Sequence, residues 1–219
     1  MKSKSSNVLF AILALSAGLL VSLFPASSWS AQLETAHRAQ PELEAITMMG
    51  DETAALPAFE LTDHRNQVFN NSRLKDKWSL MFFGYTSCPD VCPTTLNNIS
   101  HVVHALKDPT VLDAVKVYFV SVDPQRDKPE ILASYMNYFN PDFTAVTGDS
   151  QMLNVLTSAL GVAYKIKKKA ETDPVYSVDH SGFVVLINPQ GENAGLFFSD
   201  PDNVQAVARD LVRLVKGSH

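Results

Sequence analysis

The two cysteines of the chain, Cys88 and Cys92, stand four positions apart in the loop "GYTSCPDVCP". Thiols at that offset can exchange a disulfide, hold a soft metal ion or staple a turn. If the loop is one tight turn, the two Cα atoms can approach within the roughly 4.4–6.8 Å that a disulfide needs. Facing the same side, the sulfurs can also clasp copper(I) or zinc, ions that thiolates select. A closed structural zinc site takes about four ligands, so two sulfurs are too few, and a third ligand from elsewhere favours copper. Pro93 biases Cys92 away from helical geometry and suits a first helical position. Cys92 is therefore expected at or beside a helix cap. Unpaired amides and the helix dipole there favour a thiolate, which suits a reactive sulfur better than an inert staple.

The histidines are the candidates for a third ligand. His101 and His104 fall opposite the apolar face of the helix expected after the loop and read as solvated. His37 lies in an N-terminal tether and His64 in a turn. His180 differs, because it stands in "VYSVDHSGFVVLINP" directly before an apolar strand, with Asp179 beside it. An imidazole at one strand's mouth can reach a site at its neighbour's mouth. Spacing alone leaves His180 open between a ligand and a partly exposed loop histidine.

The elements that must position these residues are legible as periodicities. "WSLMFFGY" and "VKVYFVSVD" are continuous apolar runs of strand length, fit for the buried middle of a sheet. "DFTAVTG" is a shorter strand, "FELTDHRNQVF" reads as two short strands around a polar turn, and "SGFVVLINPQGENAGLFFS" as a hairpin turning at Pro189-Gln190-Gly191. Helical spacing recurs at Leu96, Ile99, Val103 and Leu106, and again at Ile131, Leu132, Tyr135, Met136 and Phe139 after Pro129. "DSQMLNVLTSALG" starts at an Asp/Ser cap and stops at Gly161. The last helix presents Val204, Val207, Leu211 and Leu214 on one face. This alternation predicts an α/β fold, a central sheet with helices on both faces. The cysteine loop leaves the C-terminal end of a buried strand, where open α/β sheets place their chemistry.

Met1–Asn7 carries Lys2 and Lys4 and no acid, and Val8–Phe24 is apolar but for Ser16, Gly18 and Ser22. Pro25 and the small residues up to Ser30 follow. This is the pattern of a secretory signal cleaved before Ala31. The apolar run is also at the lower limit for spanning a bilayer, so an uncleaved anchor over residues 8–24 is the alternative. Either predicts an exported, periplasmic protein, and no cysteine near the cleavage point supports a lipoprotein. Residues 1–30 form the leader or anchor, 31–55 an acidic tether or short helix, and 56–217 one domain. Met48 and Met49 read as ordinary side chains. The whole chain has 18 basic and 23 acidic residues, a formal charge of −5, and losing the leader makes it more negative. That argues against binding nucleic acid or anionic membranes. "KIKKK", Lys165 to Lys169, reads as a solvated edge strand rather than a docking patch.

"GYTSCPDVCP", "VSVDPQRD" and "DHSGFVVLINPQG", in that order and separation, closely resemble the Sco/SenC family of copper-binding cytochrome oxidase assembly proteins. The resemblance runs from Leu56 to Lys216. It implies a thioredoxin-like fold, with a central mixed sheet flanked by helices and an N-terminal β-hairpin extension. It also implies one copper, as Cu(I) or Cu(II), held by Cys88, Cys92 and His180. Asp123 and Asp179 match acidic positions near the site. The implied function is delivery of copper to the binuclear copper-A centre of cytochrome c oxidase. Its partners would be the copper-A-bearing subunit, a periplasmic copper donor and a thioredoxin-like reductant. The alternative is a thiol–disulfide oxidoreductase that reduces the copper-A cysteines. A thiol peroxidase fits less well, because the peroxiredoxin loops place threonine three before the cysteine, where this chain has Tyr85.

Overall fold

A computed structural model describes residues 42–50, 53, 55–168, 170 and 175–217. The expected leader or anchor, the tether up to residue 41, His37 and Lys169 lie outside these residues. Among the described residues no helix is long and apolar enough to cross a membrane.

The strands are β1 (Thr47–Met48), β2 (Glu60–Asp63), β3 (Val68–Asn70), β4 (Trp78–Gly84), β5 (Val115–Ser121), β6 (Thr144–Thr147), β7 (Tyr164–Lys167), β8 (Ser177–His180), β9 (Phe183–Ile187) and β10 (Asn193–Phe198). The helices are α1 (Val91–Ala105), α2 (Pro109–Ala114), α3 (Pro129–Phe139), α4 (Ser150–Ala159) and α5 (Val204–Gly217). Eight strands form one mixed sheet in the order β1-β10-β9-β4-β5-β6-β2-β3, and β7 pairs with β8 in a separate two-stranded sheet. β4, β5 and β6 run parallel, while β9 lies antiparallel to β4 on its other side.

The sequence of β4 explains its central place. All seven residues of "WSLMFFG" are buried, as a strand covered on both faces requires. Successive side chains alternate between faces. Leu80 and Phe82 therefore join one apolar layer with Leu96 and Ile99 of α1, Leu132 and Met136 of α3, and Leu211 of α5. Met81 and Phe83 join a second layer with Leu153 and Leu156 of α4. The caps stand where the residue types predict. Asp149 accepts from the amides of Gln151 and Met152 (2.8 and 2.9 Å) to start α4. Gly161, in the left-handed region at φ +66°, follows its end. The β2–β3 and β9–β10 hairpins form as read, the second turning through Gly191 at φ +78°.

Two expectations are corrected. Ile131 is half-exposed although it falls on the apolar stripe of α3. The short helix fully buries only Leu132 and Met136, so the stripe in contact is narrower than the pattern. Residues 42–48, expected within the tether, are built into the domain. Ile46 is buried, β1 extends the sheet against β10, and the amides of Glu44, Ala45 and Ile46 all donate to the buried Asp210 carboxylate on α5 (2.8–3.1 Å). An acid inside an otherwise apolar helix face looks like a surface residue until its distant donors are known.

Candidate metal centre

β4 leaves the sheet at Gly84, and the chain turns at once, with the Cys88 amide donating to the Tyr85 carbonyl (3.2 Å). α1 begins at Val91 after the Asp90 cap, two residues earlier than the proline predicts. Pro93 still falls in the first turn, where its missing N–H costs no intrahelical bond. Cys92 therefore sits inside the helix and points back at the strand end. A Cβ on Gly84 would lie 2.5 Å from the Cys92 sulfur. The glycine supplies the space the sulfur occupies.

This placement overturns the expected thiolate. The Cys92 side chain is fully buried, and burial pushes its thiol pKa far above the ordinary value, with the neighbouring Cys88 thiol adding to the rise. A backbone hydrogen bond from Tyr85 opposes the shift without cancelling it. Desolvation outweighs the helix dipole here. Cys88 is half-buried and touches both apolar layers at the end of the sheet.

The third group arrives on the separate β7–β8 arm. Alternation along β8 buries Val178 and turns His180 to the same side. The His180 Nε2 lies 3.3 Å from the Cys92 sulfur, and its Nδ1 lies 3.1 Å from the Ser181 carbonyl oxygen. A carbonyl only accepts, so Nδ1 carries the proton and Nε2 offers its lone pair to the site. The ring's edges meet Phe82 and Tyr85 at centroid separations of 5.9 and 6.1 Å. One ligand atom from each of Cys88, Cys92 and His180 falls within 4.8 Å of the others, the one such group among the described residues. Two soft sulfurs and an imidazole nitrogen with a set tautomer form a donor set that fits copper.

The acidic candidates part company. Asp179 alternates outward, is exposed and pairs with Lys167 across the arm, so it does not orient the His180 ring. The Ser181 carbonyl, rather than a carboxylate, faces His180 Nδ1. Asp123 is buried, and its carboxylate accepts from the Tyr176 hydroxyl (2.7 Å) and the Arg126 Nε. It stands beside the site without joining the three ligands. His101 and His104 are exposed. His64 is half-buried, its Nδ1 accepting from the Ala145 amide (2.9 Å).

Sequence reasoning missed the supports. Asp127 is buried and accepts from the Thr86 amide (2.9 Å), the Thr86 hydroxyl (2.6 Å) and the Ser121 hydroxyl (2.6 Å). It thereby fixes the turn that carries Cys88. The signal was the acid-rich "DPQRD" after a buried strand, at the end of the sheet where the cysteine loop also lies.

Residues 47–216 match the family model described as SCO1/SenC. A SCO2-like protein of Rickettsia felis is 36% identical over 160 residues, covering 73% of this chain and 75% of its own. The mitochondrial SCO2 homolog of Homo sapiens is 37% identical over 133 residues, 61% of this chain and 50% of that protein. Among solved structures, Bradyrhizobium japonicum ScoI with copper bound is 33% identical, with a TM-score of 0.66 over 74% of this chain and 99% of that one. Yeast Sco1 with copper bound aligns at a TM-score of 0.67 and 26% identity, covering 74% and 90%. The expected thioredoxin-like fold is the fold of these relatives, and the chain belongs to the SCO1/SenC family.

Proposed function

We propose that this protein is an exported copper metallochaperone that delivers copper to the copper-A centre of cytochrome c oxidase. Cys88 and Cys92 would bind as thiolates and His180 through Nε2. The observation that carries this reading is the convergence of the three ligand atoms from the cysteine loop, α1 and the β7–β8 arm. Copper-bound relatives of the same fold support it. Copper is the cargo and must leave, which requires a site reachable by an acceptor's thiols. Cys88, half-buried at the end of the sheet, is the ligand an incoming thiolate reaches first, and Cys92 is released last. Each protonated thiol gives up its proton on binding, so loading strengthens as pH rises. Delivery by ligand exchange needs no change in the metal's oxidation state. Reduction of the acceptor's cysteines by the same pair is the rival task, and it requires no imidazole.

His180 separates the two. His180→Ala should still bind at most one copper, far more weakly, while reacting with disulfides at a rate near wild type. An oxidase-deficient strain complemented with this variant should stay deficient at ordinary copper. Full rescue there would refute copper delivery and favour the reductase.

A further inference from the structure

His180 does not belong to the main sheet. Among the described residues its strand β8 pairs with β7 alone, and the chain joins the main sheet only at Phe183, where β9 begins beside β4. Val178, buried in the core, and the Tyr164 hydroxyl on Asn154 anchor parts of the arm, and the loop that follows β5, residues 123–127, holds the segment just before β8. The Arg126 guanidinium donates through Nη1 to the Tyr176 carbonyl (3.0 Å) and lies 3.6 Å from the centre of the Tyr176 ring. Its Nε pairs with the buried Asp123, whose other oxygen receives the Tyr176 hydroxyl. It also stands 5.4 Å from the centre of the Tyr85 ring. Tyr85 opens the cysteine turn and meets the His180 ring edge-on. The neighbouring Asp127 holds Thr86 of the same turn.

Arg126 is therefore a side chain that touches both bodies that must meet. One is the cysteine turn, through Tyr85, and the other is the histidine arm, through Tyr176. A planar cation can stack on aromatic faces while directing hydrogen bonds in its own plane, which a lysine ammonium cannot do. We infer that Arg126 is a positioning residue that clamps the His180 arm against the cysteine turn, and so sets how completely the third ligand is presented to copper. This rests on the reading of His180 as a ligand. Losing the clamp would loosen β8 around His180 while Val178 and β9 still tether it, so that the imidazole is presented less completely and copper is held less tightly. A clamp at this place gives the protein a way to present or withdraw one ligand without unfolding the sheet.

The test is a cycle of four proteins: wild type, Arg126→Ala, His180→Ala and the double variant. Their copper(I) affinities are measured by competition with a chromophoric chelator, beside thermal melts and amide exchange of residues 177–180. Arg126→Ala should lose roughly tenfold in affinity, as for groups that orient a metal ligand, and exchange faster at 177–180. In the His180→Ala background the same change should cost nothing further, because the ligand it positions is gone. Arg126→Lys, keeping charge without the planar stack, should fall between wild type and alanine. If Arg126→Ala does not fold, the lysine variant in both backgrounds carries the same comparison. Equal losses in both backgrounds would overturn the clamp and leave a general structural role. Wild-type affinity in Arg126→Ala, with His180→Ala weakened, would overturn the clamp alone. Wild-type affinity in His180→Ala would refute the site reading and the clamp with it.

Discussion

Gly84→Ala places the smallest perturbation where it should matter most. The added methyl would lie 2.5 Å from the Cys92 sulfur, 3.0 Å from the Phe119 ring and 3.5 Å from Phe82. Ordinary contact needs about 3.5 Å or more, so the sulfur must retreat by about 1 Å. The two rings are fully buried and leave it little room. Overpacking of this kind costs about 1–3 kcal/mol, which for a domain of this size lowers Tm by about 2–12 °C. The displaced sulfur should also cost roughly tenfold to a hundredfold in copper affinity. Gly182→Ala is the matched control. It lies two residues after His180, has no neighbour within 4 Å of its new methyl and carries no left-handed φ. Its stability should stay within about 0.5 kcal/mol of wild type. Differential scanning calorimetry of the metal-free proteins and copper competition would read both effects. A Gly84→Ala protein with wild-type Tm and copper affinity would refute the packing of Cys92 on the strand end.

Asp210→Asn should loosen the N-terminal strap. It exchanges a charged acceptor of three backbone amides and of Arg213 for a neutral one, a loss of about 1–3 kcal/mol. Amides 44–46 should then exchange about tenfold to a hundredfold faster, and unchanged exchange would show that the carboxylate does not hold them. Thiol alkylation should also be ordered. In the metal-free reduced protein, half-buried Cys88 should react well before Cys92, whose burial shields it and keeps it protonated. Mass spectrometry of partially labelled protein that found Cys92 modified first would contradict this placement.

Much of the fold is written in local pattern. The continuous apolar runs of β4 and β5 announce strands covered on both faces. Pro129 and the Asp149 and Gly161 signals mark helix ends that are set by backbone chemistry within a few residues. The cysteine pair and its place after a buried strand are equally visible, and the motif order with His180 carries the resemblance to the family. What local pattern does not contain is side-chain direction at the end of the sheet. Helix position alone made Cys92 look like a reactive thiolate, but Gly84 and the Phe119 ring, on neighbouring strands, surround its sulfur. Asp179 sat beside His180 in the chain, yet β alternation turned it outward and left the Ser181 carbonyl to face the ring. Asp210 found its donors more than 160 residues away. Arg126 acquired its place only when the β7–β8 arm came down beside the cysteine turn. Sequence by itself determined the elements and the ligand types, because those depend on neighbours along the chain. Tertiary structure decided the protonation, the orientation and the supports of the site, because those depend on neighbours in space.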